Sequence, residues 1–150
     1  MITTTSRRRF GLAIAVLLAA ETSSAGWLWP EPAAAASRDY ASQQLSEQGA
    51  FRVSYQAEDG AIPIRRLHSW TLHITRADGG PVTDATVEVD GKMPAHHHGL
   101  PTRPRVTRNL GNGDYLVEGI KFQMGGWWVM DFTVASGAST DKVRFNLQLQ

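Results

Sequence analysis

From Gly49 onward, apolar and polar side chains alternate with a period of two, in runs short enough to be strands. Trp70, Leu72 and Ile74 fall on one face, with Thr71, His73 and Thr75 on the other. Val87 and Val89 alternate with Glu88 and Asp90. Trp128, Met130, Phe132 and Val134 alternate with Val129, Asp131 and Thr133. Val143, Phe145, Leu147 and Leu149 alternate with Arg144, Asn146, Gln148 and Gln150. Strands are expected over 51–57, 64–76, 85–92, 104–110, 114–121, 127–135 and 142–149.

Turn chemistry separates these runs. Asp78-Gly79-Gly80-Pro81 and Gly111-Asn112-Gly113 supply residues that tolerate positive φ, and Asp59-Gly60 and Ser136-Gly137 mark two further turns. No long helical periodicity follows the first 36 residues. About seven short strands in roughly 100 residues predict an all-β fold, an immunoglobulin-like antiparallel β-sandwich. Residues 50–150 form the expected domain. Residues 37–49 are polar and predict a linker or a short helix.

The first 36 residues have a different pattern. Ser6-Arg7-Arg8-Arg9-Phe10 precedes an apolar run from Gly11 to Ala20, the order of an export signal helix. Ser-Arg-Arg-x-Phe also fits a twin-arginine signal; an ordinary basic leader fits equally. Ser23-Ser24-Ala25 and Ala34-Ala35-Ala36 both suit a cleavage site. The alternative is a retained anchor from Phe10 to Trp29, against which Glu21, Thr22, Ser23 and Ser24 weigh. The expected location is therefore the periplasm, either free or tethered and facing it. The membrane is met only through that helix.

Charge narrows the partners. The formal net charge is +1, and Arg7, Arg8 and Arg9 outnumber Glu21 and Glu31 in the leader. The remainder carries as many acidic as basic side chains, which gives no electrostatic footprint for nucleic acid. Arg103, Arg105 and Arg108 are expected on a solvated strand edge. The chain has no cysteine, so neither a disulfide nor a thiolate site is available, and a soft-metal site must use methionine and histidine. No nucleophile elbow, paired carboxylates or phosphate loop is present, and an enzyme is not expected.

Two segments carry candidate chemistry: Met93-Pro94-Ala95-His96-His97-His98-Gly99-Leu100 and Phe122-Gln123-Met124-Gly125-Gly126-Trp127-Trp128. Antiparallel succession of the strands brings both loops to one pole of the sandwich. Imidazole suits copper and zinc, and thioether selects Cu(I). In an extended loop His96 and His98 point one way and His97 the other, so His96, His98 and a methionine make a three-donor set. Trp127 can add a ring face near the metal. The competing reading is a solvated histidine triplet, with Met93 ending a core strand and Met124 filling a gap. Met130 is core by parity, and His68 and His73 read as ordinary strand histidines.

At these segments the chain resembles the FixH/YtkA-like family of envelope proteins. The matching features are Met93-Pro94 before a histidine loop closed by Gly99, then Pro104, Gly113-x-Tyr115 and Met124-x-Gly126-x-Trp128. The resembling stretch runs from about Phe51 to Leu149. The resemblance implies a compact immunoglobulin-like sandwich in the envelope. FixH-type members are associated with building copper-containing oxidases, so it also implies copper handling by Met93, His96, His98 and Met124; His97 and Trp127 are additional candidates from their places in the two segments. Two departures stand out: the leader looks cleavable, and Gln123 stands where a second histidine would strengthen the methionine loop.

The leading expectation is a periplasmic copper-binding or chaperone-like domain, Cu(I) being the expected ion, serving an envelope partner or copper-enzyme client. The alternative is a metal-independent interaction module that docks on a membrane enzyme or transporter. A small-ligand carrier ranks third, because seven short strands leave little room for a cavity.

Overall fold

The computed structural model describes residues 37–150; the expected export leader, with its candidate cut sites and the retained-anchor alternative, lies outside the described residues. Among the described residues no helix is long and apolar enough to cross a membrane.

The described residues form nine strands: β1 (Gln43–Leu45), β2 (Phe51–Ala57), β3 (His68–Arg76), β4 (Thr86–Met93), β5 (His98–Gly99), β6 (Arg105–Gly111), β7 (Asp114–Ile120), β8 (Gly126–Ser136) and β9 (Ser139–Leu149). They pair antiparallel in two sheets, one ordered β1-β2-β3-β7-β6 and the other β5-β4-β8-β9. The alternation sets which face is buried. Trp70, Leu72 and Ile74 from one sheet and Trp128, Met130, Phe132 and Val134 from the other are sealed in a shared core. Val143, Phe145, Leu147 and Leu149 complete it from β9. The result is an all-β sandwich, as the period-two pattern implies.

Two strands were not anticipated. Residues 37–49, expected as a linker or short helix, contribute β1, which pairs with β2 through Gln43↔Ser54 and Leu45↔Arg52. β5 is only two residues long and pairs Met93 with His98. Neither has enough alternation to stand out along the chain; each is held by its neighbour. Conversely, residues 64–67, expected within a strand, make only an isolated parallel bridge, Ile64↔Phe122, before β3 begins at His68.

Side-chain hydrogen bonds lock the crossings. Tyr115 donates its hydroxyl to the Val82 carbonyl at 2.8 Å and accepts from the Ala85 amide at 2.9 Å, pinning the entry of β4 to β7. Asp141 ties the β1–β2 connection to β9 by accepting from the amides of Gln48 and Ala50. Burial disfavours its charged form, but donors from Ser46, Ala50, Lys142 and Gln48 outweigh this and hold the carboxyl below its usual range. A lowered folded pKa means that this stabilisation is present above the unfolded value and is lost as pH falls through the folded one. Urea midpoints should therefore drop below about pH 4, where free aspartate titrates. Asp141→Asn should flatten that acid limb and cost about 1–3 kcal/mol at neutral pH. An unchanged acid limb in the variant would remove Asp141 from the account.

Candidate metal centre at the histidine pole

The strand registers place the two chemistry-bearing loops together. β4 runs toward one pole and ends at Met93, while β7 ends at Ile120 and β8 leaves the same pole from Gly126. The contact between the loops is direct. Gln123 places its side-chain amide 3.0 Å from His98 Nδ1 and 3.2 Å from the Gly99 carbonyl.

The histidine loop is a tight hairpin rather than an extended segment. His96 donates its amide to the Met93 carbonyl at 3.1 Å, and His97 takes a left-handed conformation with φ of 54°. Histidine tolerates that region better than a branched residue does. The turn, not strand alternation, sets the imidazoles. It still brings His96 and His98 together, with ring centroids 5.8 Å apart. Two imidazoles sharing one metal at ~2 Å have centroids about 5–6 Å apart. This pair therefore has chelating separation. His97 is exposed on the same hairpin.

The methionines part company. Met124 is 38% exposed on its loop, whereas Met93 is 1% exposed and belongs to the core. Met93 packs beneath Gly126: a Cβ added at Gly126 would lie 2.8 Å from the Met93 terminal methyl, at a φ of +119°. The two sequence motifs thus meet first as a packing pair. A side chain at 126 would displace the methionine, so Met93 fills the space that glycine leaves.

The tryptophans exchange the expected roles. Trp127, expected as a ring face near the metal, donates its indole N–H to Asn146 at 3.0 Å and carries the Arg38 guanidinium at 3.7 Å from its ring centre. Those contacts turn it toward β9, on the far side of β8 from the histidines. The inward Trp128 lies under the site instead, edge-on to His98 at 5.9 Å. Its indole N–H is held by the Met124 carbonyl at 3.0 Å, so one ring supports both loops. Phe122 packs against it at 5.1 Å, and His68 against Phe122 at 5.6 Å. Burial is the main influence on His68, and it pushes that imidazole's pKa down.

Neither loop contributes a carboxylate. Among the described residues, no three His, Cys, Asp or Glu side chains converge as a metal site. A metal here must therefore rely on two imidazoles and a thioether, a neutral and partly soft set that suits Cu(I) better than a hard divalent ion. His96, His98 and Met124 fit that requirement at accessible positions, and Met93 faces away from it into the core. Gln123, the residue joining the loops, had no distinguishing signal in the sequence beyond its place in the motif.

A second constellation lies on the outer face of the five-stranded sheet. Ser54, His73 and Asp114 are register partners across β2, β3 and β7, and His73 Nδ1 lies 2.6 Å from Asp114. No hydrogen bond joins Ser54 to the ring, so the row does not form a nucleophile–base pair.

Residues 61–133 match the YtkA-like family. No curated protein and no solved structure matches the chain significantly. The matched span contains the histidine hairpin, Gly113-x-Tyr115 and Met124-x-Gly126-x-Trp128. The chain is thus similar to the YtkA-like family over the segment that carries the paired motifs of its two pole loops, where the resemblance was expected.

Proposed function

We propose that this protein is an exported, envelope-facing copper-binding or chaperone-like module, with an immunoglobulin-like sandwich presenting a Cu(I) site at one pole. One observation carries the reading: the Gln123–His98 contact holds the two loops side by side, with His96 and His98 at chelating separation and Met124, next to Gln123 in the chain, exposed on its loop. Bound Cu(I) would take His96, His98 and Met124 as donors, and the open pole would let a partner approach the ion. The client would be an envelope protein or a copper enzyme under assembly, and no catalytic step is assigned to the domain.

The test is Cu(I) titration against a competing chelator. Stoichiometric binding is expected, with a loss of at least about a hundredfold in affinity for the His96→Ala/His98→Ala double variant, since neutral ligands are removed from a small donor set. Equal binding by the double variant would end the proposal. Exposed Leu67 and Met124 near this pole favour a second reading, docking without metal. A partner captured equally well by the double variant would support that reading.

A further inference from the structure

We infer that Gln123 is a gate on His98, holding its imidazole in a form that offers no open nitrogen to a metal; the inference rests on the copper reading above. The argument starts from one atom. Gln123 Nε2 faces both the Gly99 carbonyl at 3.2 Å and His98 Nδ1 at 3.0 Å. A carbonyl oxygen only accepts, so the group facing it is the amide NH2. The same NH2 then donates to Nδ1, and Nδ1 presents its lone pair. A neutral imidazole keeps its one proton on the other nitrogen, so Nε2 carries N–H. Turning the amide over would set its oxygen against the Gly99 carbonyl, so the geometry selects this orientation.

In that state neither nitrogen of His98 is free: one lone pair is engaged and the other nitrogen is protonated. Capture of a metal therefore requires Gln123 to move. Either the ion displaces the amide from Nδ1, or the amide turns and Nδ1 takes up the proton, freeing Nε2. The second route offers an acceptor at a cost. Gln123 Oε1 is buried with no hydrogen-bond partner among the described residues, and a turned amide would give it the Nδ1–H while setting it against the Gly99 carbonyl, so this state needs the metal to favour it. A ligating histidine commonly donates its remote N–H to such an oxygen. Gln123 is thus a positioning residue, closing His98 without metal and able to support it with metal.

The decisive measurement needs no copper. Long-range nitrogen–proton NMR correlations of the metal-free protein should show His98 with Nε2 protonated and Nδ1 bare. In Gln123→Ala that preference should relax toward a mixture. Gln123→Glu, whose carboxylate can only accept at neutral pH, should reverse it. Both variants should then bind Cu(I) about three- to tenfold more tightly than the parent, the worth of one hydrogen bond no longer broken on binding. A proton on Nδ1 in the parent, or a proton position unmoved by Gln123→Ala, overturns the gate even where copper binds well. The expected proton positions with no Cu(I) capture by any of the three proteins overturn the copper reading, and the gate's purpose with it.

Discussion

Replacing Gly113 by alanine is expected to lower the unfolding free energy by about 3–4 kcal/mol, close to what a domain of this size can lose and remain folded. Two costs combine. Gly113 has φ of +85°, a region that costs a residue with a Cβ about 1–2 kcal/mol. The new Cβ would also overlap the backbone carbonyl of Ile74 in β3. That carbonyl is not free to retreat, because it accepts from the Val82 amide at 3.0 Å, and Ile74 donates its own amide to Gly113 at 2.8 Å. Relieving the overlap means breaking a buried backbone pairing, which adds about 1–3 kcal/mol. Gly111, two residues earlier, is an internal control. It has φ of +87°, and its added Cβ meets open space, so Gly111→Ala should cost only the backbone part. Urea unfolding of both variants would check the difference. Equal midpoints would mean that the close approach at Gly113 is not felt.

Truncating the two loop methionines should separate packing from chemistry. Met93→Ala is expected to cost about 2–4 kcal/mol, the range for emptying a core site, because its side chain fills the space under Gly126. Met124→Ala should change stability by less than about 0.5 kcal/mol, as befits an exposed loop position. Their effects on Cu(I) should be reversed. Met124→Ala loses the one accessible thioether among the described residues and should weaken binding about tenfold or more, whereas Met93→Ala, measured well below its melting temperature, should keep it. The opposite pairing of results would make the buried thioether the donor and remove Met124 from the site. Chelator competition and thermal melts on the same preparations give both quantities.

The candidate site was legible in part, and the division is physical. Turn chemistry and antiparallel succession were enough to bring the histidine and methionine loops to one pole, and the Gln123–His98 contact shows them there. What failed was parity carried into the loops. Alternation holds only where a ladder enforces extended backbone, and the histidine segment leaves its ladder at Met93 to make a turn through a left-handed His97. The pairing of His96 with His98 therefore came true for a different reason. Alternation put Trp128 inward, and Trp127 was expected at the metal. At the end of a sandwich an inward residue lies beneath the loops that cap the core, and Trp128 does so.

By itself, the sequence determined which face of each long strand turns toward the core. Burial of every second side chain is a local property of extended chain, and Trp70, Leu72, Ile74, Trp128, Met130 and Phe132 follow it into the core. Only the tertiary structure decided that Gln43–Leu45 and His98–Gly99 become strands, that Met93 is packing while Met124 is accessible, and that a glutamine amide occupies His98. Each of these depends on a specific partner outside the residue's own strand pattern: a neighbouring strand, a glycine that leaves room, a carbonyl that orients an amide. Period and composition encode no such partner, because the contact arises only when strands pair and their loops meet.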